Sequence, residues 1–77
     1  MKELIDMIAK QLVDDPSQVT IQEKDQGGRV RVELSVAKED MGRVIGKGGR
    51  IANSMRVLLR VAAAREGKRA TLDIIEP

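Results

Sequence analysis

The chain is organised around eight residues, Val44-Ile45-Gly46-Lys47-Gly48-Gly49-Arg50-Ile51, which join two segments with helical patterns. Its glycines lack a Cβ, so the backbone can turn sharply there and another molecule can approach it closely. A helix that begins at Arg50 would direct N–H groups and the positive end of its dipole at this loop. Lys47 and Arg50 add cationic side chains at the same place. The stretch is therefore expected to suit a polyanion, such as a nucleic acid backbone.

The distribution of charge agrees with this expectation. The net charge of +2 is modest, but residues 1–37 carry five basic and seven acidic side chains, net −2, whereas residues 38–69 carry nine basic and three acidic, net +6. Positive charge thus concentrates around the glycines and the helix that follows, as in an electrostatic footprint for a polyanion. A solvated helix face rich in arginine would give the same count.

Length and composition exclude several classes of protein. The 77 residues suffice for a single domain, 1–77, with 42% hydrophobic and 34% charged residues, which is typical of a globular protein. The absence of cysteine and histidine removes disulfides, thiolate nucleophiles and the usual zinc ligands, so no metal or other cofactor is expected. No apolar run approaches the ~20 residues that span a bilayer, and we expect a cytoplasmic protein without membrane contact.

Periodicity predicts three helices. Apolar residues recur with helical spacing over 3–13, until Asp14-Asp15-Pro16 ends that segment. A short helix is expected over 38–45, with Met41, Val44 and Ile45 buried, and a long one from Arg50 to about Arg65, stopped by Gly67. Gly42 is unfavourable inside a helix by ~1 kcal/mol, which indicates that another backbone, of the next helix or of a ligand, packs closely there. In the long helix the expected apolar face comprises Ile51, Met55, Leu58, Leu59 and Ala62.

Alternation predicts three strands, over about 18–24, 29–36 and 70–75, with Asp25-Gln26-Gly27-Gly28 as a hairpin turn between the first two. The element order is α-β-β-α-α-β. A strand–helix–helix–strand crossover most often returns parallel and right-handed. The predicted fold class is therefore α+β, with a mixed three-stranded sheet and three helices packed on one face.

The sequence gives little support for catalysis, so we do not expect an enzyme. A nucleotide-hydrolysing phosphate loop needs G-x-x-x-x-G-K-[ST] after a strand; here Gly42 to Gly46 is one residue short, and Gly48 stands where the hydroxyl should be. The G-x-G-x-x-G of dinucleotide-binding folds is absent. Without His or Cys, a general base or nucleophile would come from scattered carboxylates, lysines or hydroxyls that form no motif.

Among nucleic-acid modules, those that stack bases on aromatic side chains are excluded, because the chain has no Phe, Tyr or Trp. Residues 45–51 instead match the I-G-x-G-G-x-I signature of KH (K-homology) domains, in which a GXXG loop clamps about four nucleotides of backbone. The element order resembles the type II, prokaryotic KH arrangement. The resemblance covers essentially the whole chain and is closest to the small bacterial KhpA family of RNA-binding proteins.

The resemblance implies single-stranded RNA, or single-stranded DNA, in an aliphatic groove beside the loop, with a role as an RNA chaperone or post-transcriptional regulator. Backbone N–H groups from Gly46 to Gly49 would meet the phosphates. Val44 and Ile45 are either groove wall or core, and Arg56 and Arg60 either contact flanking phosphate or are solvated. The implied RNA-binding residues are Gly42, Arg43, Ile45, Gly46, Lys47, Gly48, Gly49 and Arg50.

A second hypothesis is a protein-assembly module in which RNA binding is secondary. Small binding domains gain affinity through multivalency, which fits a homodimer. The resemblance also implies a larger bacterial partner that joins a KH domain to a second nucleic-acid-binding domain. Ala62-Ala63-Ala64, Ile75 and the open face or edge of the sheet are candidate contacts, although burial in the core explains the alanines equally well.

Overall fold

The computed structural model describes residues 1–76 and has the predicted element order. The helices are α1 (Lys2–Leu12), α2 (Met41–Ile45) and α3 (Arg50–Arg65), and the strands are β1 (Thr20–Gln26), β2 (Arg29–Ser35) and β3 (Arg69–Ile75). Short 3-10 turns occupy Pro16–Gln18, Lys38–Asp40 and Lys47–Gly49. No helix among residues 1–76 is long and apolar enough to cross a membrane.

The sheet has the order β1-β2-β3, with β1 antiparallel to β2 and β2 parallel to β3. This confirms the predicted mixed sheet. The hairpin turn is tighter than predicted: β1 continues to Gln26, which pairs with Arg29, so only Gly27 and Gly28 connect the strands. The first strand also begins later than predicted, at Thr20, because Pro16–Gln18 forms a 3-10 turn.

One face of the sheet is covered by the helices. The core lies between them and is entirely aliphatic apart from Met55; it includes the inward-facing residues of β2, namely Val30, Val32 and Leu34. Alternate residues of β2, beginning with Arg29 and Arg31, lie on the opposite side, which we call the open face. The predicted one-sided covering of the sheet is thus confirmed.

The face of α3 that packs on the sheet differs from the predicted one. Its buried residues are Ala52, Met55, Leu59 and Ala63, whereas the Leu58 side chain is 49% exposed. The prediction for Leu58 is wrong because two adjacent helical stripes both carry apolar residues, and the sheet covers one of them. The predicted stop at Gly67 is confirmed: the N–H groups of Gly67 and Lys68 donate to the carbonyls of Ala64 and Ala63, the Schellman arrangement.

The helix predicted over 38–45 is divided. Residues Lys38–Asp40 form a 3-10 turn, and α2 proper has only five residues. The break falls at Asp40, which is 2% exposed and whose carboxylate accepts two backbone N–H groups of the α1–β1 connection. Met41 is only partly buried.

Candidate nucleic-acid interface

Residues 46–49, the glycine loop, lie between the end of α2 and the start of α3, as predicted. Lys47 and Gly48 are exposed, and Gly46 and Gly49 are partly exposed. Gly46, Gly48 and Gly49 have φ values of 77°, 65° and 76°. The loop is therefore a sharp and accessible bend that ends at the first turn of a 16-residue helix.

The conformation of Gly46 excludes other residues. Its φ of 77° and ψ of 171° fall in a region that is essentially restricted to glycine. A Cβ on Gly46 would also lie 2.6 Å from Cγ1 of Ile51. The Ile51 side chain packs directly against the backbone of the loop and fixes how it enters α3.

Two of the four backbone amides of the loop are bonded to nearby carbonyls, so fewer of them face a ligand than predicted. The Gly46 N–H donates to the Gly42 carbonyl at 2.9 Å, and the Gly49 N–H donates to the Gly46 carbonyl at 3.1 Å. Lys47 and Gly48 are the first two residues of the 3-10 turn, so their N–H groups have no acceptor within that turn, and both residues are exposed. The expectation that all amides from Gly46 to Gly49 face a ligand is corrected, because two of them close the bend itself.

Two cations flank these amides. The side chains of Lys47 and Arg50 are exposed, and neither has a carboxylate within 4.0 Å in the described part of the chain. Together with the positive end of the α3 dipole, they make the bend electropositive. A phosphate at this position would receive backbone hydrogen bonds from the exposed amides while lying close to both cations.

Arg43 is held differently. Its Nη2 donates to Asp14 Oδ2 at 2.8 Å, and its Nε lies 3.2 Å from Asp40 Oδ1. Its charge is therefore balanced by two carboxylates. The structure places Arg43 on α2, next to the loop. Unlike Lys47 and Arg50, Arg43 has its guanidinium group paired with carboxylates of the protein.

Asp40 makes this arrangement possible. Its Oδ1 and Oδ2 accept the backbone N–H groups of Asp14 and Asp15, both at 3.1 Å. The buried carboxylate thus ties the connection after α1 to the start of α2. Because these N–H donors and Arg43 compensate its buried negative charge, we assign Asp40 a structural role and not a role in ligand binding.

The apolar residues beside the loop divide into core and surface. Val44 is fully buried, so it belongs to the core and does not form part of the groove wall. Ile45 and Ile51 are partly buried, which leaves apolar surface next to the bend. Gly42 is exposed, and a Cβ there would meet nothing within 4 Å. The next helix is therefore not the reason for glycine at this position.

Asn53, on α3, lies beside the loop and is not among the predicted site residues. The Asn53 amide Nδ2 lies 4.0 Å from where a Gly49 Cβ would be. Asn53 Oδ1 accepts a hydrogen bond from Arg56 Nη1 at 3.1 Å, and Arg56 Nε donates to the Leu72 carbonyl at 3.2 Å. Arg56 is thus fastened to β3, whereas Arg60 is exposed. Helical spacing of four residues from Gly49 would have indicated Asn53.

The groups that lie together at the glycine loop suit an anion and not a metal ion. Among residues 1–76, no group of three or more Asp, Glu, His or Cys side chains is placed to hold a metal ion. What the bend brings together is backbone N–H donors, cations and partly buried aliphatic surface. The fold and this loop define the chain as a KH domain of the type II arrangement.

Comparison with known proteins gives the family. Residues 2–74 match the family model described as KhpA/KhpB, KH domain. The RNA-binding protein KhpA of Clostridium acetobutylicum is 48% identical over 75 residues, which cover 97% of this chain and all of that protein. KhpA of Caldanaerobacter subterraneus is 49% identical over 75 residues with the same shares, and KhpA of Listeria monocytogenes is 47% identical over 76 residues, 99% of this chain and all of that protein. The chain belongs to the KhpA/KhpB KH-domain family.

Proposed function

We propose that this protein, acting as a single KH domain, binds single-stranded RNA with the glycine loop on the sugar-phosphate backbone. The observation that carries the proposal is the exposed start of the 3-10 turn at Lys47 and Gly48, beside two cations without carboxylate partners among the described residues. Helix N-termini with free amides are favourable places for phosphate. The relatives named as RNA-binding proteins support the same ligand.

The chemistry of the bases follows from the composition. Because the chain has no aromatic side chains, bases cannot stack on aromatic rings, and partly buried residues such as Ile45 and Ile51 provide apolar contact beside the loop. Binding is accordingly of modest affinity and loose sequence preference, and single-stranded DNA is a second candidate ligand. We assign the protein a non-enzymatic, cytoplasmic role as an RNA chaperone or post-transcriptional regulator.

A pair of double substitutions tests the clamp. Lys47→Asp with Gly48→Asp places negative charge against the phosphate, whereas Lys47→Asn with Gly48→Asn makes the same steric change without it. Asp and Asn both tolerate the left-handed backbone that Gly48 adopts at φ 65°. The Asn pair should lose roughly fivefold in RNA affinity through the missing lysine contact, and the Asp pair at least about tenfold.

Circular dichroism and sedimentation of both variants provide the controls for fold and size. Equal RNA binding by the Asp pair and the unmodified protein would show that the loop is not the clamp. A salt titration adds an independent measure, because each phosphate contact with a single strand contributes about −0.7 to the slope of log affinity against log salt. Affinity that does not change with salt would contradict the proposal.

A second candidate function, protein assembly, is favoured by an exposed apolar stripe on α3. The side chains of Val57, Leu58 and Val61 are 53%, 49% and 52% exposed, and Val61 lies one helical turn from each of the other two. Of the alanines considered as contacts, Ala63 is fully buried in the core. A homodimer, or a complex with a larger KH-containing protein, would cover this stripe.

Sedimentation of Val57→Glu with Leu58→Glu tests the assembly hypothesis. Loss of self-association with unchanged circular dichroism would support a homodimer through α3. If the unmodified protein sediments as a monomer at all concentrations, self-assembly is excluded.

A further inference from the structure

The open face of the sheet carries a second concentration of positive charge, far from the glycine loop in sequence. Lys24, Arg29, Arg31 and Arg69, which we call the cationic patch, come from all three strands. The register places Arg29 beside Arg69, and Arg31 beside Lys24. These four cations line a shallow depression of about 450 Å³ together with Gln26 and Thr71.

The charge of the patch is only partly balanced. Glu33 pairs with Lys24 at 3.4 Å, and Asp73 pairs with Arg31 at 2.8 Å. Neither Arg29 nor Arg69 has a carboxylate within 4.0 Å in the described 76 residues. Like charges directly opposite each other on neighbouring strands are destabilising. An anion between these two guanidinium groups would relieve that repulsion.

The patch and the loop lie at opposite ends of the molecule. β2 and β3 are parallel, and both begin at the Arg29–Arg69 pair. α3 ends just before β3, so the patch lies beyond its C-terminal end while the glycine loop precedes its N-terminal end. A helix of 16 residues is about 24 Å long. The patch is thus separate from the site proposed above.

We propose that the cationic patch binds phosphate groups of the same single-stranded RNA, outside the segment held by the glycine loop. This rests on the proposed function. Three of the four cations are arginines, whose planar guanidinium forks match phosphate oxygens. Gln26 and Thr71 add neutral hydrogen-bonding groups, and no aromatic side chain lines the depression. The patch therefore contacts the backbone without reading sequence, and it lengthens the bound segment.

RNA length separates the two surfaces. About four nucleotides fill a GXXG loop, and at the stacked rise of about 3.4 Å per nucleotide they span about 14 Å, too short to reach the patch. A strand of about 16 nucleotides, the upper footprint of a single-strand-binding fold, spans about 54 Å at the same rise. That exceeds the longest dimension of the molecule, 35 Å.

The test compares Arg29→Gln with Arg69→Gln against a matched control, Lys2→Gln with Lys10→Gln, which removes two exposed charges from α1. Both are titrated with RNA of about 4 and about 16 nucleotides. For the longer RNA, the arginine pair should lose about 5-fold in affinity at 0.1 M salt if one phosphate contact is lost and about 25-fold if two are lost. Binding of the shorter RNA should not change.

Two outcomes would overturn the proposal. Equal loss of RNA affinity in the arginine pair and the lysine control would show that binding depends on the net charge of the protein and not on the cationic patch. The variant with Arg29→Gln and Arg69→Gln is also titrated with polyglutamate. If it binds the longer RNA normally but no longer binds polyglutamate, the patch is a site for an acidic protein. If the shorter RNA binds the unmodified protein but not the variant with Lys47→Asp and Gly48→Asp, the glycine loop binds RNA, whatever the result for the cationic patch.

Discussion

Gly46 and Ile51 are in contact across the glycine loop so closely that a Cβ on Gly46 would lie 2.6 Å from Ile51 Cγ1. Gly46→Ala therefore combines this steric overlap with an unfavourable backbone, and we expect it to lower the free energy of unfolding by about 2–4 kcal/mol. Urea denaturation measures the effect. Gly48→Ala is the matched control, because it shares the positive φ but meets no atom within 4 Å; it should lose only about 1–2 kcal/mol. Equal losses would contradict the role given to Ile51.

Gly42 should show opposite effects on stability and binding. A Cβ at this helical position has open space around it, so Gly42→Ala should raise the free energy of unfolding by about 0.4–1 kcal/mol. If RNA approaches the α2 backbone here, the added methyl group should weaken RNA affinity in the same variant. Thermal denaturation and RNA titration of one preparation check both effects. Increased stability with unchanged affinity would remove Gly42 from the interface.

Asp40 should be far more important for stability than its neighbour Asp14. Asp40→Ala leaves the N–H groups of Asp14 and Asp15 without their acceptor and Arg43 without one of its carboxylates. We expect a loss of about 1–3 kcal/mol in the free energy of unfolding. Asp14→Ala removes a carboxylate that is 77% exposed and should change stability by less than about 1 kcal/mol. Similar losses in the two variants would show that the buried carboxylate does not fasten α1 to α2.

The ion pair between Asp25 and Lys68 should give a defined pH dependence. Lys68 Nζ lies 2.7 Å from Asp25 Oδ2, and this hydrogen bond, followed by that from the Gly28 N–H, holds the pKa of Asp25 below its ordinary 3.8. The same pair raises the pKa of Lys68 above 10.5. The contribution of Asp25 is therefore fully present above pH 3.8 and is lost as pH falls through its lowered pKa.

Asp25→Asn consequently should have a lower melting temperature than the unmodified protein at neutral pH, and the difference should disappear in acid. On the alkaline side, the difference should persist to pH 10.5 and shrink as Lys68 loses its proton above that value. Melting curves across this range check the prediction. A difference that stays constant into strong acid would show that the ion pair is not its cause.

Local signals in the sequence were sufficient for the architecture. Strict alternation over β2, the glycines of the hairpin and the stop at Gly67 each act within a few residues, and the handedness of crossovers supplies the sheet order. The glycine loop was located correctly for the same reason, since the I-G-x-G-G-x-I spacing is contiguous. Its role in binding RNA stays a proposal.

The features that sequence did not reveal depend on contacts between distant residues. Asp40 receives amides from residues 25 and 26 positions away, and Arg43 is thereby drawn into the fold. The pairing of Arg29 with Arg69 exists only because β2 and β3 are neighbours. Counting charge by segments assigned Arg29 to the net-acidic part of the chain and so concealed the patch. Exposure of Leu58 likewise depends on which stripe of α3 the sheet covers.

The most direct measurement is an NMR titration of backbone amides with a single-stranded RNA of about four nucleotides, the length that a GXXG loop holds. We predict that the largest chemical-shift changes fall on the N–H groups of Lys47 and Gly48, which open the exposed 3-10 turn of the loop, and that the amides of the Arg29–Arg69 end do not change. Unchanged Lys47 and Gly48 resonances in a protein that binds this RNA would contradict the proposed clamp.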